Sequence, residues 1–165
     1  EAIEKMRAEL SVKKSKEELK ANCGIEEDEV LDALVELDVS ANDVAALALV
    51  PLVQVAWADG SISLNERDAV LEAAHQQGVE KDSHPHKLLE AWLEKQPSTE
   101  LYVAWSEYVN SLVSNMDSAH VTSMKESILG QAHDVASAAG GILGLGAISS
   151  SEKAVLEAID KAFEG

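Results

Sequence analysis

The chain has 165 residues, of which 30 are acidic and 13 are basic, giving a formal net charge of −17. This balance excludes the basic stripe with which proteins neutralise the phosphates of DNA or RNA, and it disfavours anionic membrane surfaces. Hydrophobic residues make up 46% of the chain and aromatic residues only 4%, which is typical of a folded domain with an aliphatic core.

Two further absences in the sequence bear on its location and partners. No apolar run approaches the ~20 residues that a membrane-spanning helix needs, and no signal peptide is visible. We therefore expect no membrane span and a cytoplasmic location. The charge favours cations and basic protein surfaces as partners.

The N-terminal third of the chain has the pattern of short helices. Residues 2–10 predict a first helix, with three apolar residues on one face. Ser15 and Glu18 have the spacing of a capping box, so a second helix is predicted to begin there and to end at Gly24. A third amphipathic helix is predicted over residues 30–37.

The rest of the chain predicts longer helices. Residues 43–58 are apolar nearly all round, as in a central buried helix, and Pro51 predicts a kink or break within it. No segment alternates with the two-residue period of a strand. We predict an all-α, compact multi-helix bundle, with N-terminal segments in residues 1–38 packed on a domain over residues 39–165. Its further helices are predicted near 63–77, 84–95, 98–116, 117–135 and 150–163.

An Asp-Gly-x-Ile-Ser-x-x-Glu turn at residues 59–66 is the most distinctive motif, and part of it recurs 86 positions later. The glycine, isoleucine, serine and glutamate coincide in both copies, as does the basic residue that follows. Leu145 stands where the first copy has Asp59. The repeat indicates two related helix–turn–helix units.

A purely structural role explains most of this motif. Gly60 can adopt the left-handed conformation that ends a helix. Ser63 and Glu66 have the spacing of a capping box for the next helix, as do Ser149 and Glu152 in the second copy. The aspartate before the glycine is then only an exposed residue.

Cation binding is the alternative role for the turn. The motif coincides with the second half of an EF-hand loop, whose first and third positions should carry oxygen ligands. Val55 and Trp57 occupy those positions and supply no side-chain oxygen. The sequence therefore does not predict an EF-hand.

A different family accounts for the motif better. Residues 55–63, followed by Glu66 and Arg67, resemble the signature of the tellurite-resistance TerB-like family, in which a helix ends in Ala-Asp-Gly before a tight turn. Residues 140–146, with the serine and glutamate that follow, resemble the later segment of a TerB-like subgroup. The resemblance covers about residues 40–163 and is specific at the first turn.

The resemblance implies a compact helical fold with pseudo-twofold halves and a divalent cation of the calcium or magnesium class at the two turns. Carried over residue by residue, the implied metal ligands are Asp59, Glu66 and Glu152. Leu145 removes the second aspartate, and losing a carboxylate weakens a site for hard cations.

Two histidines form a further candidate site. His84 and His86 flank Pro85 and could bind a transition metal if further ligands approach, or they could form a solvated helix N-terminus.

No nucleophile elbow, phosphate loop or dinucleotide fingerprint appears. We therefore expect a non-enzymatic binding or scaffolding domain with a protein partner. The alternatives are a metal-dependent accessory hydrolase using the same acidic turn and a structural interaction domain without metal.

Overall fold

A computed structural model describes residues 2–23, 27–37, 39–40, 43–58, 60–140 and 150–164. Over these residues the chain is helical, without a strand, which confirms the all-α prediction. Nine helices occur in the described part of the chain: α1 Ala2–Cys23, α2 Asp28–Glu36, α3 Val44–Ala48, α4 Val50–Ala56, α5 Leu64–Gln76, α6 His84–Glu94, α7 Thr99–Asn115, α8 Ser118–Gly140 and α9 Ser150–Ala162. None of them is both long enough and apolar enough to cross a bilayer.

The first helix differs from the prediction. Instead of two helices with a start at Ser15, the structure has one continuous α1 of 22 residues. The capping-box spacing of Ser15 and Glu18 was misleading because no glycine or proline precedes it to end the first helix. The predicted stop at Gly24 lies outside the described residues.

The apolar segment before the distinctive turn is divided as Pro51 predicted. α3 ends at Ala48. Leu49 is the C-cap residue of α3 and also the N-cap residue of α4. Pro51 then occupies the first turn of α4, where a missing backbone N–H costs no helical hydrogen bond. The proline therefore marks a break between two short helices.

Helix α4 lies at the centre of the molecule. It contacts every helix from α5 to α9, and six of its seven residues are buried. This confirms the predicted central buried helix. Leu52 and its neighbours on α4 form one hydrophobic cluster with residues of α2, α5, α6, α7, α8 and α9.

The N-terminal helices attach to this core in sequence. α2 packs against α7, and α1 packs against α2. Leu19 of α1 is fully buried, and Lys16 forms ion pairs with Asp28 and Asp32 of α2. These contacts of α1 with α2 thus lie in the C-terminal half of α1.

Candidate functional site

The first turn has the local structure that its sequence predicts. Gly60 has a φ of +86°, and its N–H donates to the carbonyl oxygen of Trp57 at 2.8 Å. Ser63 Oγ accepts from the Glu66 N–H at 3.1 Å, and Glu66 Oε1 accepts from the Ser63 N–H at 3.0 Å. The predicted capping box at the start of α5 is confirmed.

Side-chain contacts fasten this turn to α6. Trp57 Nε1 donates to the carbonyl oxygen of Trp92 at 2.8 Å. Arg67, directly after the capping box, lies 3.6 Å from the Glu90 carboxylate. The end of α4 and the start of α5 are therefore both held against the same helix.

Of the three predicted metal ligands, the structure places Glu66 and Glu152. Each is the third residue of its helix, α5 and α9 respectively, and they are only 5% and 2% exposed. Both helices pack against α4 and α8. Asp59 lies outside the described residues, as does the second turn at 141–149 with its predicted capping serine.

No group of three or more His, Cys, Asp or Glu side chains is arranged to hold a metal ion within the described ranges. Because Asp59 is not among those residues, the three-carboxylate set stays a prediction. The structure shows that Glu66 and Glu152 are both buried, each in the first turn of its helix. These two helices pack against the same neighbouring helices.

The capping box leads to a first testable expectation. Ser63→Ala should lower the free energy of unfolding by about 1 kcal/mol, because the Glu66 N–H loses its acceptor. Urea denaturation of both proteins measures the difference. Ser61→Ala, at an exposed position in the same turn, is the matched control. An equal loss in that control would contradict the capping role.

A buried carboxylate that sequence analysis missed contacts the start of α6. Asp43 is fully buried before α3, and its Oδ2 accepts from the Ser40 N–H at 2.8 Å and the Ser40 Oγ–H at 2.9 Å. Its Oδ1 lies 2.8 Å from His84 Nδ1. The Ser-x-x-Asp spacing of residues 40–43 before an apolar run was the signal that could have revealed it.

The two histidines flanking Pro85 are held by different carboxylates. His84 pairs with Asp43, whereas His86 Nδ1 lies 2.8 Å from Glu90 Oε1. Since an ionised carboxylate only accepts hydrogen bonds, the His84 contact suits an Nδ1–H that donates to Asp43. The His86 contact with Glu90 is close in distance but lacks the geometry of a hydrogen bond. The His84–Asp43 contact joins the starts of α3 and α6, while the His84 side chain stays 46% exposed, as expected for a solvated helix terminus.

An apolar cavity of about 360 Å³ lies between α3, α7 and α8, away from the acidic turn. Its walls include Trp105 and Phe163, whose rings meet edge-on at 6.0 Å between centroids. Met116 and Met124 line it as well, and exposed Ser127 on α8 lies at its border. Its volume lies near the lower end of the range found for ligand pockets, which is about 300–1,000 Å³.

Comparison of the chain with protein-family models, curated proteins and solved structures found no match.

Proposed function

We propose that the chain is a non-enzymatic binding and scaffolding domain of the TerB-like type that acts in the cytoplasm with a protein partner. In this proposal a divalent cation of the calcium or magnesium class is held by Asp59, Glu66 and Glu152. The observation that supports it is the burial of both glutamates, each in the first turn of a helix that follows one of the two related turns.

Burial of carboxylates favours a cationic partner for a physical reason. An ionised carboxylate loses its hydration on burial and needs compensating charge or hydrogen bonds. The capping box supplies a hydrogen bond to Glu66, and the N-terminal end of each helix carries a partial positive charge. A calcium or magnesium ion adds full charges and takes oxygen ligands from carboxylates.

The cation is tested by thermal denaturation with calcium and magnesium titrations. Binding to the folded state raises the free energy of unfolding by about 2.7 kcal/mol at a free cation concentration 100 times the dissociation constant. For a domain of this size that is a rise in melting temperature of roughly 5–10 °C. We expect this shift in the wild type and its loss in Asp59→Asn, Glu66→Gln and Glu152→Gln.

The variants are chosen to separate cation binding from helix capping. Glutamine at position 66 can still accept from the Ser63 N–H, so Glu66→Gln keeps the capping box while it removes the charge. Asp68→Asn, at an exposed position on α5, is the matched control and should keep the full shift. If neither cation moves the melting temperature of the wild type, the cation proposal is wrong.

A scaffold without metal is the second candidate, and a separate observation favours it. The N-terminal half of α1 exposes three large apolar side chains that are 60–67% accessible: Ile3, Met6 and Leu10. Exposed apolar residues that share one face of a helix are typical of a protein contact surface. This surface does not involve the acidic turns.

A further inference from the structure

The apolar cavity between α3, α7 and α8, hereafter the α7–α8 cavity, has a buried floor and polar groups at its rim. Trp105, Val109 and Phe163 belong to the floor and are buried. Ser123 and Ser127 of α8 line the cavity and are exposed, so they lie at the rim. Apolar walls with a small number of polar groups suit a ligand that is apolar over most of its surface and polar at one end.

The volume of the cavity limits the size of that ligand. It is about 360 Å³, which is more than twice the ~150 Å³ of an apolar cavity that takes up benzene. One water molecule occupies about 30 Å³ in the liquid, so the α7–α8 cavity has room for about 12 non-hydrogen atoms. Two fused aromatic rings with one substituent are of this size.

The lining favours an aromatic ligand without charge. Trp105, Tyr108 and Phe163 can pack against the face or edge of an inserted ring. The sulfur atoms of Met116 and Met124 also make favourable contacts with aromatic rings. Among the described residues that line the cavity there is no Lys, Arg, Asp or Glu. A charged group buried among them would lose its hydration without gaining a partner of opposite charge.

His120 provides a hydrogen-bond acceptor at the entrance. Its Nδ1 lies 2.9 Å from each carboxylate oxygen of Asp117. Hydrogen bonds from the His120 backbone N–H and ring lower the pKa of Asp117, which favours the ionised carboxylate. Because that carboxylate only accepts hydrogen bonds, Nδ1 carries the proton of the neutral ring and Nε2 is left as an acceptor. His120 lines the cavity, so a ligand hydroxyl at the rim can donate to Nε2.

We propose that the α7–α8 cavity binds a neutral aromatic alcohol with two fused rings, whose hydroxyl donates to His120 Nε2. The rings leave water for the apolar floor, and the hydroxyl stays at the polar rim. The described lining includes neither Glu66 nor Glu152, so this site is separate from the predicted cation ligands and does not depend on cation binding.

Equilibrium dialysis of the whole chain against β-naphthol tests the proposal. We expect saturable binding with a dissociation constant of roughly 10–100 μM, as for a small ligand that is largely buried. The methyl ether of β-naphthol keeps the rings but has no hydroxyl donor, and it should bind about fivefold more weakly. The anionic β-naphthalenesulfonate should bind at least about 100-fold more weakly.

Two tryptophan variants locate the site. Ser127→Trp on α8 and Ala45→Trp on α3 each place a large ring at an exposed lining position, and each should weaken β-naphthol binding at least about tenfold. Thr122→Trp adds the same ring to an exposed position of α8 outside the lining, so it should bind like the wild type. The melting temperature of each variant confirms that it is folded.

A further variant tests the hydroxyl contact. His120→Ala should remove the preference for β-naphthol over its methyl ether, because the acceptor is lost, while the methyl ether binds as before. His133→Ala changes an exposed histidine of α8 outside the lining and should keep the preference. Equal weakening of both ligands by His120→Ala would mean that the histidine only maintains the shape of the rim.

Four results would overturn the proposal. The first is no saturable binding of β-naphthol up to about 1 mM. The second is equally tight binding of the sulfonate, and the third is unchanged binding in both folded lining variants. The fourth is tighter binding of N-acetyltyrosinamide than of β-naphthol, which would assign the cavity to a tyrosine side chain of a protein partner. None of these measurements involves a cation, so the two proposals fail separately.

Discussion

Replacing Asp43 with alanine is expected to lower the free energy of unfolding by about 3 kcal/mol. Asp43 is fully buried, and its two oxygens accept from the Ser40 N–H, the Ser40 hydroxyl and the His84 ring. Alanine leaves these donors without their acceptor and opens a space beside α3. Urea denaturation followed by circular dichroism measures the loss.

Comparison with His84→Ala separates the two partners of Asp43. The His84 side chain is 46% exposed, so water can solvate it in the variant, and His84→Ala should cost only about 1 kcal/mol. Most of the loss in Asp43→Ala should therefore come from Ser40 and from the buried position itself. If His84→Ala proves as damaging as Asp43→Ala, the histidine pair rather than the serine contacts stabilises this corner.

The parts of the fold that could be predicted from sequence depend on local interactions. Ser63 and Glu66 are three residues apart, so their capping box is visible as a spacing, and Pro51 breaks a helix through its own ring. The same capping-box rule gave a wrong helix start at Ser15. Nothing ends the first helix before Ser15, so this spacing lies within one continuous helix. Local signals thus identified most helix boundaries.

The parts that could not be predicted depend on contacts between distant residues. Asp43 and His84 are 41 positions apart, and only the packing of α3 against α6 brings them together. The burial of Glu66 and Glu152 likewise follows from where α5 and α9 pack, although each residue was singled out from its motif. A sequence motif can therefore identify a candidate ligand residue. The burial of the carboxylate of that residue depends on the tertiary fold.

The second large effect is expected in α4, which carries the first turn. Leu52→Ala should lower the free energy of unfolding by about 3 kcal/mol and the melting temperature by roughly 6–12 °C. Leu52 is fully buried within a helix that contacts five later helices, so little of the space left by the side chain can be refilled. Calorimetry and urea denaturation measure both quantities.

Leu64→Ala is the matched control, because it makes the same chemical change twelve residues later at a side chain that is 75% exposed. We expect its free energy of unfolding to stay within about 0.5 kcal/mol of the wild type. Equal losses in the two variants would mean that α4 is not the centre of the core. A large loss confined to Leu52→Ala would mean that the packing of α4 against the later helices stabilises the fold on which the first turn is built.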